Sequence, residues 1–359
     1  MTKIPWYRTS FGDSEIQAVR DSIENEHISQ GSVTGLLEEK LAKSLNVPYA
    51  VVTTSGSVAL LLSCMACGIK SGDEVIVPNR TWIATAHAPM ILGAKTTLVD
   101  VLKDKPLIDA SQIEKEITDR TKAIIPVHLN GRSVDITAVN SIAKKYNLQV
   151  IEDACQALFS KNSDGYLGTQ SDLGCFSLGT TKLIATGQGG VVVTKNKDMY
   201  EKLKLLRNHG TTTNIDPIYY MPSLNFKFTD ILASIGIVQL SKAEERIKHV
   251  RDIYEIYCSE ISGLEFIKNL PVDIGKGEVP LYMEVLCRDR KKLVDYLNSK
   301  DIETRPFLPN INFAEYIKTG GNFPNSDYFA EHGLFLPCGP TQPMENILRV
   351  AEEIKRFGK

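Results

Sequence analysis

The sequence predicts an α/β protein: a large part built on a mostly parallel seven-stranded sheet, followed by a smaller α+β part. Three observations predict it. Seven short Val- and Ile-rich runs lie within the first 194 residues. Amphipathic stretches of helical period separate several of them. Near residue 229 this alternation stops and a long helical pattern takes over. Near-continuous apolar strands alternating with helices are the mark of a sheet covered on both faces.

Taken in order, residues 13–27 read as an N-terminal helix that could pack on either part. The strands are expected at 49–53 (YAVVT), 74–78 (EVIVP), 96–101 (TTLVDV), 122–128 (KAIIPVH), 149–153 (QVIED), 173–178 (LGCFSL) and 189–194 (GGVVVT). The stretches SVALLLSCMACG and DITAVNSIAKKYN supply crossover helices. Residues 229–261 carry apolar positions at three- and four-residue steps, which predicts one long amphipathic helix. A strand at 279–287 (VPLYMEVLC), a helix at 289–301 and a closing helix at 343–358 complete the smaller part. The domains expected are residues 1–245 and 246–359.

Composition narrows the function. A length of 359 residues allows two domains, and 43% hydrophobic with 23% charged residues is ordinary for a globular chain. A formal net charge of -2 offers no basic stripe for nucleic acid. No apolar run is long enough to cross a membrane, and the N-terminus turns polar too early for a signal peptide, so a cytoplasmic location is expected. Seven scattered cysteines read as reduced thiols. The CxxC pair Cys64–Cys67 lies in an apolar helical stretch without a second pair, so buried helix cysteines are expected and no metal site.

In open α/β sheets functional groups gather at the carboxyl ends of strands. Four stretches end strands that way. TTSGSVALLL passes from strand to helix through Ser-Gly-Ser, where Gly56 and Ser57 could offer an anion the N–H groups of a helix start; Ser-Gly turns also occur for purely structural reasons. VIEDACQA ends a strand on Asp153, which could hold a heteroaromatic nitrogen protonated or cap a helix, with Gln156 beyond it. FSLGTTKLIATGQGG places one lysine, Lys182, between Ser177 and a glycine cluster; a desolvated amine there is a nucleophile and proton carrier, a solvated one is only a loop residue. NRTWIATAHA puts Trp82 after a strand, where an indole can cover a flat ring or fill a core. Together they supply a phosphate cradle, an acid for a ring nitrogen, a stacking aromatic and a lysine that can form a Schiff base. That set matches pyridoxal 5'-phosphate (PLP).

On EDACQA, FSLGTTK and the flanking TSGSVALLL, GDEVIVPNRTW, LRNHG and LNFKFTD, the chain resembles the DegT/DnrJ/EryC1/StrS family of sugar aminotransferases nearly end to end. The resemblance implies the PLP-dependent transferase fold of aspartate aminotransferase type I. It implies Lys182 as the lysine that carries PLP as an internal aldimine, Asp153 as partner of the pyridine nitrogen and Gln156 near the ring hydroxyl. It further implies Trp82 over the ring, Gly56, Ser57 and Ser177 at the phosphate, and Asn225 reaching the phosphate in a neighbouring subunit of a homodimer. Glutamate would donate the amine and a keto group on a nucleotide-linked sugar would accept it.

Gln188 stands where the family commonly has an acidic residue, and it is held with His128 and His209 as a substrate contact; either histidine could instead be structural. Residues 211–226 read as a loop over the site, part of it serving the partner subunit. Rival readings are a dinucleotide-dependent oxidoreductase, which lacks its G-x-G-x-x-G turn here, a sugar-nucleotide dehydratase, against which Lys182 argues, and a non-catalytic regulator.

Overall fold

The computed structural model describes residues 3–213, 215–317 and 320–358. Among them the strands run in chain order β1 (Tyr49–Thr53), β2 (Glu74–Pro78), β3 (Lys95–Val99), β4 (Thr121–Ile124), β5 (Gln149–Asp153), a short hairpin β6 (Lys161–Asn162) and β7 (Gly165–Tyr166), β8 (Leu173–Ser177) and β9 (Gly190–Thr194). Seven of these form one sheet in the order β1-β9-β8-β5-β4-β2-β3. β9 is antiparallel to both neighbours, and the remaining pairs are parallel. All residues of β2 and β9 are buried, which is why these strands read as unbroken apolar runs.

The helices of the large part include α1 (Asp13–Glu24), α2 (Ser32–Ser44), α3 (Gly56–Ala66), α4 (Ala84–Ile91), α5 (Ile136–Tyr146) and α6 (Lys197–Arg207), and all but α1 pack on the sheet. α3 is apolar on nearly every side because it packs against the sheet, α4 and α6 together. Its cysteines serve that packing. Cys64 is fully buried, and burial pushes the Cys67 thiol up to about 12. α1 packs against α7 (Asp230–Ser241), whereas the segment before it joins the smaller part, with Ile4 bridging Ile302 and Tyr7 bridging Cys338.

Two expectations need correction. Residues 229–261 are not one helix: α7 ends at Ser241, Lys242 lies at φ -96°, ψ 6°, and α8 (Ala243–Glu260) begins beyond it. α7 packs on α1 and α2 while α8 packs on the closing helix, so the two halves face different partners. The junction is tied by charge. Lys242 Nζ lies 2.6 Å from Glu15 of α1, and Gln239 donates to the same carboxylate at 2.7 Å. Burial alone would raise the Glu15 carboxyl, but Lys242, the Gly12 N–H and Gln239 outweigh it and bring it down to about 2.

The strand expected over 279–287 shrinks to its second half. The smaller sheet comprises β10 (Ile267–Asn269), β11 (Met283–Cys287), β12 (Arg305–Pro306) and β13 (Gly333–Leu336), covered by α9 (Arg290–Ser299), α10 (Pro324–His332) and α11 (Met344–Phe357). Residues 279–282 bind the large part instead. Val279 donates to Ser160 Oγ at 2.9 Å, and Tyr282 N–H donates to Asn130 Oδ1 at 2.6 Å. The core is continuous across both parts, running from Leu37 and Val52 through Phe228 to Val250, Val285 and Ile347.

Candidate active site

The parallel strands of the large sheet end along one edge, and β9, running the other way, begins there. A cavity of about 450 Å³ opens on that edge, a size suited to a small ligand. The large part contributes Gly56 and Ser57 after β1, Thr81 and Trp82 after β2, Asp153, Cys155 and Gln156 at the end of β5, and Ser177 ending β8. Lys182 and Gln188 enter from the β8–β9 connection.

The anion cradle is built by the start of α3. Ser55 caps it, its Oγ accepting from Val58 N–H at 3.2 Å, so Gly56 and Ser57 present the unpaired first-turn N–H groups. Gly56 is required by close approach: a Cβ there would lie 2.9 Å from Ser177 Cβ and 3.0 Å from Cys155 Sγ. Gly190 serves the same turn from β9, since a Cβ on it would lie 2.1 Å from the Ser55 carbonyl oxygen. Burial, reinforced by Asp153, holds the Cys155 thiol well above its usual range, so it stands beside the cradle as a neutral group.

Asp153 is 4% exposed yet lines the cavity. Its Oδ2 accepts from Thr85 Oγ1 at 2.7 Å and its Oδ1 from Cys155 N–H at 3.1 Å, which fixes the carboxylate plane. The connection that carries Lys182 is equally fixed. Leu183, Ile184 and Ala185 are buried, Leu178 N–H donates to Gly189 at 2.8 Å, and Arg246 donates to the Leu183 carbonyl at 2.9 Å. Lys182 Nζ lies 5.9 Å from the Tyr282 ring centroid and makes no hydrogen bond or ion pair among the described residues. A rigid backbone thus delivers an amine with no structural duty. Trp82, 53% exposed, stands at the cavity wall. Gln156 Oε1 accepts from Asn130 N–H at 3.0 Å.

The structure does not bring every expected residue to this cavity. His128 is fully buried. Its Nδ1 accepts from Val134 N–H at 3.2 Å, so Nε2 donates to Glu152 at 2.9 Å, and Glu152 also accepts from Gly168 and Gln170 N–H groups. That is a satisfied structural network behind the sheet edge, not a substrate contact. His209, at φ 51°, is exposed and away from the cavity lining. Asn225 is also exposed and outside the lining, its Oδ1 accepting from Lys227 N–H at 3.2 Å. Of the expected loop over 211–226, position 214 lies outside the described residues; Thr211 is buried and Met221, Ser223 and Phe226 are half-buried, whereas Ile215, Ile218, Tyr219, Tyr220 and Leu224 are open to solvent.

Other lining residues carried no sequence signal of their own. Trp6 comes from the N-terminal segment, and Tyr282, Arg305, Leu308 and Phe335 come from the smaller part. Asn130 holds Tyr282 reciprocally, donating to its carbonyl at 2.9 Å and accepting from its N–H. Tyr282 in turn shares hydrogen bonds of 3.2 Å with the Thr181 hydroxyl and carbonyl, beside the lysine.

Known proteins share this fold along nearly the whole chain. Residues 9–355 match the profile of the DegT/DnrJ/EryC1/StrS aminotransferase family. A GDP-perosamine synthase from Escherichia coli O157:H7 is 34% identical over 362 residues, covering 99% of each chain. Among solved structures, DesV of S. venezuelae, captured with a ketimine intermediate, superposes with a TM-score of 0.95 at 26% identity over 100% of this chain and 99% of that one. Spr1654 of Streptococcus pneumoniae, assigned as a sugar aminotransferase and solved in its PMP form, superposes at 0.93 with 25% identity over 99% of this chain and 98% of that one.

Proposed function

The chain belongs to the DegT/DnrJ/EryC1/StrS aminotransferase family, and from that premise we propose that it moves an amino group from glutamate to a keto group on a nucleotide-linked sugar, with PLP attached to Lys182. The observation that carries the reading is one cavity lined at once by an unpartnered lysine, a fixed carboxylate and a glycine-floored helix start.

Those residues fit the cofactor. Gly56, Ser57 and Ser177 would hold its phosphate, Asp153 its ring nitrogen, Gln156 its ring hydroxyl, and Trp82 would cover its face. Bound there, PLP supplies an electron sink for the negative charge that develops at the donor's α-carbon. Asp153 presents its carboxylate from a buried position, which favours a proton on the group facing it. Lys182 Nζ is the base that takes the α-proton and the acid that returns one, and the buried segment behind it keeps its reach constant. Trp82, Tyr282 and Phe335 give the cavity its aromatic wall.

The product named for the E. coli relative makes GDP-linked keto-sugars the first acceptors to try. The exposed apolar residues from Ile215 to Leu224, adjacent to Asn225, support a homodimer in which that segment meets the partner's cavity.

The test is the visible spectrum of the PLP-loaded protein with and without glutamate. The band of lysine-bound cofactor is expected to fade as a pyridoxamine band grows, and K182A is expected to lack both the band and turnover. A band indifferent to glutamate, or K182A retaining wild-type turnover, overturns the reading; water loss from the sugar without an amino donor would make the protein a dehydratase.

A further inference from the structure

Among the described residues that line the cavity, two have basic side chains, Lys182 and Arg305. Lys182 is committed to the chemistry. Arg305 opens β12, and its backbone pairs with Phe335 of β13, another residue of the same wall. The guanidinium carbon lies 4.7 Å from the Trp6 ring centroid, and a guanidinium nitrogen lies 3.6 Å from the Glu303 carboxylate. Glu303 is itself positioned, its Oε2 accepting from the Trp6 N–H at 3.3 Å.

This is more constraint than a solvated arginine receives. Stacking on the indole fixes the guanidinium plane and shields one face. The 3.6 Å ion pair is too long for a strong hydrogen bond, and the side chain is 57% exposed, so the N–H fork stays available. Pro306, Leu308 and Tyr282 line the same cavity and add largely apolar surface to it. Arg305 lies over Trp6 and Lys182 lies over Tyr282, and the centroids of those two rings are 5.8 Å apart.

We propose that Arg305, stacked on Trp6, is the anion-recognising side chain of the substrate cleft, gripping a pair of anionic oxygens by its fork. This rests on the reading above, in which both substrates are anionic: the amino donor brings carboxylates and the sugar nucleotide a diphosphate. Either presents the paired oxygens that a guanidinium matches and an ammonium does not. Arg305 therefore orients the substrate against Lys182 and takes no part in the proton transfers.

The experiment titrates PLP-loaded protein by calorimetry with glutarate, a dicarboxylate with no amine to react, and separately with inorganic pyrophosphate. R305M is expected to weaken at least one of them roughly ten- to a hundredfold, the range for losing a charge-assisted hydrogen-bonded contact. R305K, keeping charge but not the fork, should fall between. Loss for glutarate alone assigns the donor carboxylate, loss for pyrophosphate alone assigns the diphosphate, and loss for both assigns a shared grip. Unchanged binding of both anions in R305M, or a wild-type protein that binds neither, overturns the proposal. The wild-type spectral response to glutamate is read separately, so a failure of the parent reading is told apart from a failure of this one.

Discussion

Replacing Gly56 by alanine tests the anion cradle at its floor. The added methyl would sit 2.9 Å from Ser177 Cβ, 3.0 Å from Cys155 Sγ and 3.2 Å from Ser177 Oγ. Comfortable carbon contacts begin near about 3.5 Å, so the neighbours must retreat by roughly half an ångström or more. Overpacking of this kind costs about 1–3 kcal/mol, offset by up to about 1 kcal/mol because alanine is the better helix former. The free protein should therefore lose no more than about 3 kcal/mol. Cofactor binding should weaken too, because the retreating side chain is Ser177, which is expected to touch the phosphate. One displaced contact to a charged group is worth about 1.5–3 kcal/mol, roughly ten- to a hundredfold in affinity. The assay is an absorbance titration of protein without cofactor by PLP, with chemical denaturation alongside. Adding Cys155→Ala to the variant removes one of the two crowding side chains and should recover part of the affinity, a coupling that independent sites would not show. A Gly56→Ala protein that binds PLP within about threefold of wild type refutes the reasoning.

Three further outcomes are expected. Asp153→Asn keeps an acceptor for Thr85 but removes the charge, so turnover should drop roughly 10²–10³-fold while PLP affinity and melting temperature change little; steady-state kinetics decide it. Asn130→Ala strips both hydrogen bonds from the Tyr282 backbone and places alanine at φ 54°, costing roughly 3–5 kcal/mol in urea unfolding, whereas a loss below about 1 kcal/mol would mean that the clamp is dispensable. Glu15 has a folded carboxyl near 2 against 4.5 unperturbed, so its contribution is complete above about pH 4.5 and is lost as pH falls toward 2. Glu15→Gln should flatten that limb of the stability–pH curve by no more than about 3 kcal/mol, and an unchanged limb would show that the Lys242 junction carries no such energy.

Much of the site was legible because its residues are local to strand ends. Lys182, Asp153, Gly56, Ser57, Ser177, Trp82, Gln156 and Gln188 all line the cavity, and each belongs to a short stretch where an apolar run stops at a polar or glycine turn. Such stops are written in the sequence because a buried strand must be apolar to its last residue. His128 shows the limit of that logic. It too ends an apolar run, but the chain turns back there through Asn130 at φ 54°, and the imidazole is buried against Glu152 rather than shown to the cavity. Which face a strand-end side chain takes depends on a partner twenty-four residues away, and no periodicity reports that.

The composition and period of the sequence by themselves determined the layered α/β architecture, the strands of the large sheet and the residues at their ends, because burial on both faces imposes its pattern residue by residue. Tertiary structure alone decided what completes the cavity. Trp6 and Arg305, nearly three hundred positions apart, meet because the N-terminal segment pairs with the smaller part. Tyr282 faces Lys182 because Asn130 takes its backbone out of a strand. The helix expected over 229–261 divides at Lys242 because its halves are held by different neighbours. Contacts between residues far apart in the chain depend on how the two parts pack, and packing is a property of the whole molecule that a local sequence pattern does not encode.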